Sequence, residues 1–191
     1  MTQYNQFNQL VGDALPDWQP RPWPQRQTLQ GQSCRLEPLA VKHAQALFNA
    51  YRQAPDTRAW TWLLREPENS VAEFSAWIAS ISELNDPLHF AVIDEQSGQP
   101  VGSLALMRID AKNGVVEVGH VHFSPLLSRK AMATEAQWLL MRYVFESLGY
   151  RRYEWKCNSL NEPSRRAALR LGFQFEGRFR DRKSTRLNSS H

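Results

Sequence analysis

The residues best suited to chemistry lie between Val115 and Ala136, VVEVGHVHFSPLLSRKAMATEA. Glu117, His120 and His122 stand on a strand-like run, 115–123, that breaks at Ser124-Pro125. Arg129 and Lys130 follow, and a strong helical pattern starts at Ala131. A helix N-terminus holds unpaired N–H groups and the positive end of the macrodipole, so cations there are unfavourable unless an anion is bound. Strand, basic loop and helix together read as a site for a phosphate-sized anion. The plainer alternative is a pair of solvated surface cations. Period-two alternation puts His120 and His122 on the strand face opposite Glu117, so the two sets are not expected in one site. A histidine on a packed strand is ordinarily a satisfied core residue. Cys157 has no histidine set near it and is expected to be a small buried apolar residue rather than a nucleophile.

The elements that position these residues follow from periodicity and punctuation. Residues 34–39 read as a strand and 42–54 as a helix with Ala44, Leu47, Phe48 and Tyr51 on one face. An aromatic-rich loop, 56–68, carries Trp60, Trp62 and Leu63. Ser70 caps a second helix reaching 84, with Glu73 completing a capping-box pattern and Phe74, Trp77, Ile78 and Ile81 as its apolar stripe. Strands 88–94, 101–109 and 115–123 form an antiparallel meander, the last pair joined through Asn113-Gly114. A helix over 131–148 ends at Gly149, and a strand follows at 152–157. Asn161 caps a helix with Pro163 in its first turn and Gly172 at its end, and 173–179 reads as a final strand. The order is mixed α/β, with a strand–helix–strand crossover from 115 to 157 that should be parallel.

The chain has 191 residues, enough for one domain with an arm. Residues 1–32 hold four prolines among 16–24 and little periodicity, so they read as an extended arm that Trp18 and Trp23 are placed to anchor. The domain proper is expected over 33–180. The start lacks the basic and apolar pattern of a secretory leader, and no apolar run is long enough for a membrane span. A cytoplasmic protein with two reduced thiols, Cys34 and Cys157, is expected, and two cysteines do not make a zinc site unaided. The net charge is +4, and residues 181–191 supply +2 of it (Arg182, Lys183 and Arg186 against Asp181). The remainder is too nearly neutral to argue for nucleic acid.

The segments EVGHVHFSP (117–125), SRKAMATEA (128–136), LGYRRYEWKCNSLNEPS (148–164) and AALRLGFQFEG (167–177), in that order, resemble the GNAT superfamily of acyl-CoA-dependent N-acetyltransferases. The nearest subgroup is the one related to ribosomal-protein alanine N-acetyltransferases. The likeness extends more loosely back to about Gly31. It implies acetyl-CoA as donor and a primary amine as acceptor. It also implies that the strand carrying Val121–Ser124 splays from the next strand to hold the pantetheine arm. Backbone groups of Val121, His122 and Phe123 would then bind pantetheine amides and polarise the thioester. The loop Leu127, Ser128, Arg129, Lys130, Ala131 and Met132 would cradle the pyrophosphate through its N–H groups. The family's usual Gln or Arg start and two glycines are here Leu126, Arg129 and Ala131.

Acetyl transfer needs a neutral amine, and a lysine-like amine with a pKa near ~10.4 must lose a proton first. The resemblance puts Glu117 where some relatives carry the general base; pairing with an arginine such as Arg108 is the alternative. It puts Asn161 against the pantetheine arm, a role compatible with N-capping, and Ser164 where a proton donor or CoA contact is expected. The loop WTWLLRE (60–66) is a candidate acceptor wall, with ordinary loop packing as its alternative. The acceptor is expected to be a protein N-terminus or a small amine. A CoA-binding module with weak or no catalysis remains the other reading. The family fold ends on a further strand inserted beside 152–157. Residues 183–191, KSTRLNSSH, look instead like a non-native tail, so that strand is expected to be missing.

Overall fold

The computed structural model describes residues 3–180. A small exposed hairpin, β1 (Gln3–Tyr4) and β2 (Leu10–Val11), precedes a six-stranded sheet. The sheet runs in chain order: β3 (Leu29–Gln30), β4 (Cys34–Pro38), β5 (Leu88–Asp94), β6 (Pro100–Asp110), β7 (Val115–Phe123) and β8 (Arg152–Trp155). All pairs are antiparallel except β7–β8, which is parallel across the crossover helix α3 (Ala131–Arg142), as the sequence pattern predicts. The other helices are α1 (Ala44–Tyr51), α2 (Val71–Ser82) and α4 (Glu162–Arg170).

Both faces of the sheet are covered. Leu36, Leu88, Phe90, Leu104, Leu106, Val116 and Val118 pack with Ala136, Leu139, Leu140 and Val144 of the crossover helix. On the other face Leu47, Tyr51, Trp60, Phe74 and Ile78 pack on Ala91 and Ile93. Strands buried on both sides read as continuous apolar runs, and β5, LHFAVID, is buried along nearly its whole length. No helix among the described residues is long and apolar enough to cross a membrane.

Several expectations are corrected. The 131–148 helix ends as α-helix at Arg142 and continues as a wider turn over Tyr143–Ser147, closed by the Leu148 N–H to the Tyr143 carbonyl at 3.0 Å. The extra residue in the turn lets Tyr143, Val144 and Leu148 all reach the core. The arm is not all irregular, because Leu29–Gln30 joins the sheet edge. Trp18 does anchor it, donating its indole N–H to the Lys112 carbonyl at 2.9 Å and packing over Gly114 beneath the Arg21 guanidinium. Trp23 does not; it is exposed, and the hold comes from Gln25 N–H on the Tyr143 hydroxyl and from Arg26 on the Ser82 and Leu84 carbonyls.

The expected strand 173–179 does not form. After α4 the Phe173 ring stacks on Tyr153 at 5.7 Å and meets Trp155 edge-on at 5.5 Å. The chain is therefore drawn across the face of β8, and Glu176 returns to pair with Arg152 instead of laying backbone along the strand edge. β8 itself stops at Trp155, two residues short of the reading, which leaves Cys157 exposed rather than buried. The predicted tail, 181–191, lies outside the described residues.

Candidate active site

The site is built where the sheet opens. The register of β7 on β8 runs Val115–Arg152, Val116–Tyr153, Glu117–Glu154 and Val118–Trp155, and stops. Beyond it β7 continues for five residues against β6 alone, so the two parallel strands part into a wedge. The His122 carbonyl accepts the Tyr51 hydroxyl at 3.2 Å and lies beside Gly102 of β6, so it faces the closed edge. Backbone groups of an extended strand alternate between edges, which turns those of Val121 toward the open side. Val121 is thus the residue of the Val121, His122, Phe123 trio whose backbone is directed into the wedge; the Phe123 carbonyl accepts the Ser128 hydroxyl at 3.1 Å.

At the top of the wedge the loop after β7 folds on Ser124. Its buried hydroxyl donates to the Val101 carbonyl at 2.6 Å, and its carbonyl accepts from the N–H groups of Leu127 and Ser128 at 3.0 and 2.9 Å. Leu127 is fully buried, so its side chain is a core anchor. The Lys130 N–H returns to the Leu127 carbonyl. Among the described residues, the backbone N–H groups of Arg129, Ala131 and Met132 have no such partner. These three sit at the start of α3, whose first turn holds no acidic side chain. Neither Arg129 nor Lys130 has an ion-pair partner among the described residues, and both are exposed. Arg170 reaches across from α4 to the Thr134 hydroxyl at 2.7 Å, adding a third cation to this end. Three free donors, a helix terminus and three cations make an anion cradle. Arg129 has φ +63, the left-handed conformation that glycine adopts freely. The loop therefore keeps a glycine-type backbone while carrying an arginine, at a local cost of roughly 1–2 kcal/mol.

The far wall is α4. Asn161 Oδ1 accepts the Ser164 N–H at 3.2 Å, the N-cap read from the sequence. The Ser164 hydroxyl oxygen accepts the Trp155 indole N–H at 2.9 Å, which fixes the side chain at the end of β8 and leaves its own proton free to be donated.

Below the wedge, the placement of the strand side chains departs from simple alternation. Between the pairs Ala105–Gly119 and Ser103–His122 the strand β7 carries one extra residue, and His120 sits there with φ +49. Val116 and Val118 face the α3 side, and after the bulge so do Val121 and Phe123. The bulge thus switches parity and brings His120 and His122 onto the same face as Glu117, against the expectation from period-two counting. A second bulge in β6 at Arg108, φ +50, is held by the Asp86 carboxylate, which accepts the N–H groups of Arg108 and Ile109 at 2.8 and 2.9 Å.

Glu117 is buried. Its Oε2 accepts from Arg108 Nη1 and from Lys156 Nζ, each at 2.7 Å, and Lys156 also pairs with Glu154. The Arg108 pairing weighed in the sequence is therefore present, with a lysine added that sequence distance concealed: Lys156 lies 39 residues away and is placed by the parallel β7–β8 register.

His122 is sealed. Its ring stacks on Tyr51 at 3.8 Å and 11°, meets Trp60 edge-on at 4.5 Å, and has a buried Nδ1 without a hydrogen-bond partner among the described residues. Burial, with the Arg65 charge nearby, pushes its pKa down to about 3. His89 on β5 is also brought to about 3, by burial and then by His120 and Arg65. No sequence signal marks His89 as a neighbour of this face, whereas Arg65 belongs to the 60–66 loop read as a candidate acceptor wall. Arg65 stacks over Trp77 at 3.9 Å and pairs with Glu68, so the 60–66 segment does reach the face. Beside it, Tyr51, Trp60, Phe74, Arg52 and Glu68 line an open pocket of about 170 Å³.

A mixed sheet whose two parallel strands part, followed by a crossover helix with unpaired N–H groups at its start, is the architecture of an acetyltransferase domain. Residues 34–174 match the acetyltransferase (GNAT) domain family, and the chain belongs to it. A GCN5-related N-acetyltransferase from Brucella melitensis is similar, with 51% identity and a TM-score of 0.86 over 88% of this chain and 77% of that one. An uncharacterized N-acetyltransferase, p20, from Bacillus licheniformis is 26% identical over 81% of this chain and 86% of its own length. A structure described as a ribosomal-protein-serine acetyltransferase from Vibrio cholerae shares the fold, with 24% identity and a TM-score of 0.65 over 81% of this chain and 84% of that one.

Proposed function

We propose that the protein transfers an acetyl group from acetyl-CoA to a primary amine by direct attack in a ternary complex. The observation that carries this reading is the parting of β7 from β8 after Val118 and Trp155. Pantetheine would lie in that wedge with the Val121 backbone on its amides, and the pyrophosphate on the N–H groups of Arg129, Ala131 and Met132 with Arg129 and Lys130 around it. Asn161 would contact the pantetheine arm and Ser164 would donate its proton to the leaving thiolate. Glu117, whose Oε2 already accepts two charge-assisted bonds, is assigned to fixing Arg108 and Lys156 rather than to taking the amine proton. The acceptor amine would enter over the face of Arg65, His120 and Trp60, as a protein N-terminus or a small molecule. A cytoplasmic setting is consistent with Cys34 and Cys157 standing as free thiols.

The test is thiol release from acetyl-CoA with an alanine-led tetrapeptide, a polyamine and an aminoglycoside, each alone. Amine-dependent release with a stoichiometric acetylated product is the expected result. Stabilisation by acetyl-CoA without release from any amine would favour the binding module, a reading that the glycine-poor cradle at Arg129 and Ala131 supports.

A further inference from the structure

The catalytic reading leaves open which group receives the proton that the amine gives up. Glu117, His122, His89 and His120 are candidate proton acceptors on the face below the wedge, and packing disposes of the first three. The Glu117 carboxylate is held by two cations. His122 is closed beneath Tyr51 and Trp60. His89 is buried in β5 behind the ring of His120. His120 differs from all of them: it is half-buried, and its ring nitrogens hydrogen-bond no described residue.

Its position depends on the bulge. Without the extra residue in β7, the side chain at 120 would stand on the α3 face among Val116 and Val118. A non-glycine residue at φ +49 stores local strain, and such strain concentrates where geometry serves function. From this geometry we propose that His120 accepts the proton from the attacking amine; the proposal rests on the acetyl-transfer reading and deepens it.

The groups facing His120 suit the task. From β5 the His89 ring stands 5.0 Å away, centroid to centroid. From the 60–66 loop Arg65, from β6 Arg108 and from β7 Glu117 act on it through their charges. Burial comes first, then Arg65; Glu117 opposes them and Arg108 adds to them, and the balance lowers its pKa below the ordinary histidine value. His120 is then uncharged at neutral pH, with a lone pair available. In the step, the amine lone pair forms the C–N bond at the thioester carbonyl carbon. The C–S bond breaks with its electron pair going to sulfur, and one N–H proton passes to the His120 imidazole. The thiolate takes a proton from Ser164 or solvent, and His120 returns its own to solvent, so the net change is one proton moved from amine to thiol.

The test uses the full chain with His120→Asn and His120→Gly, two residues that tolerate a positive φ. Thiol release with the same three amines is followed from pH 5.5 to 9, and acetyl-CoA stabilisation is measured in parallel. The expected result is a kcat lower by about 10²–10⁴-fold. Stabilisation by acetyl-CoA should be unchanged, the acid limb of the pH profile should be lost, and added imidazole should restore part of the rate in His120→Gly. Variants that turn over at the wild-type rate with the acid limb intact would overturn the proposal alone. Wild-type protein that binds acetyl-CoA but releases no thiol would overturn it together with the catalytic reading. Absence of acetyl-CoA binding would overturn the donor site itself.

Discussion

Moving the protein from pH 7.5 to pH 5 is expected to remove about 4 kcal/mol of folding stability through His89 and His122 alone. Both are buried and uncharged, with pKa values brought down to about 3 against an ordinary 6.5. A depressed histidine binds its proton in the unfolded chain before the folded one, so stability is complete above 6.5 and falls as the pH drops toward 3. At pH 5 each group is about 1.5 units below its unfolded pKa, worth about 2 kcal/mol. His43 and His120 are shifted in the same direction. Glu37, lowered to about 2 by Lys42, Arg35 and His43, does not offset this, because its contribution persists down to about pH 4.5 and is lost only below that. Urea unfolding at half-unit pH intervals should show the slope, and His89→Gln should reduce it by about 1 kcal/mol per pH unit between 6 and 4. A stability that stays flat from pH 7.5 to 5 would mean that these rings are not buried neutral.

The second large effect concerns the donor site. Saturating acetyl-CoA, at a hundred times its dissociation constant, should stabilise the wild-type chain by about 2.7 kcal/mol. The double variant Arg129→Glu, Lys130→Glu should lose the whole of this, since it sets two carboxylates against a phosphate and keeps no compensating charge on the loop. Arg129→Gly separates backbone from side chain. It removes one cation but keeps the loop conformation, because glycine adopts φ +63 without strain. A partial thermal shift is expected for it, where the charge-reversed protein gives none. An undiminished shift in the double variant would remove the pyrophosphate from this loop.

The elements were legible because their signals are local. Ser70 before an apolar stripe, Asn113-Gly114 between alternating runs, and Asn161 before Pro163 each fix a cap or turn from a few adjacent residues, and all three stand in the structure. The Glu73 carboxylate even reaches back, though to the Asn69 N–H rather than that of Ser70. What was not legible depends on partners far along the chain. Alternation gives a side chain's face only while the ladder is regular, and nothing in EVGHVHF announces a bulge at His120. His120 and His122 therefore met the Glu117 face unforeseen. Lys156 joined Glu117 through a parallel register that no sequence spacing records. The segment 173–179 has the composition of a strand, but Phe173 finds a better place on Tyr153 and Trp155 than along the β8 edge. The basic loop was visible as Arg129 and Lys130 before a helix; which three N–H groups of it remain unpaired was not, since that depends on how Ser124 and Leu127 take up the others.

The central claim, that the donor lies in the β7–β8 wedge with its pyrophosphate on the start of α3, is tested most directly by backbone amide NMR of the full chain titrated with acetyl-CoA. The account predicts that the amides of Val121, Arg129, Ala131 and Met132 shift with one common dissociation constant and become protected from exchange, while those of α2 and β4 do not move. Shifts confined to other parts of the molecule, or a titration that leaves these four amides unchanged, would contradict it.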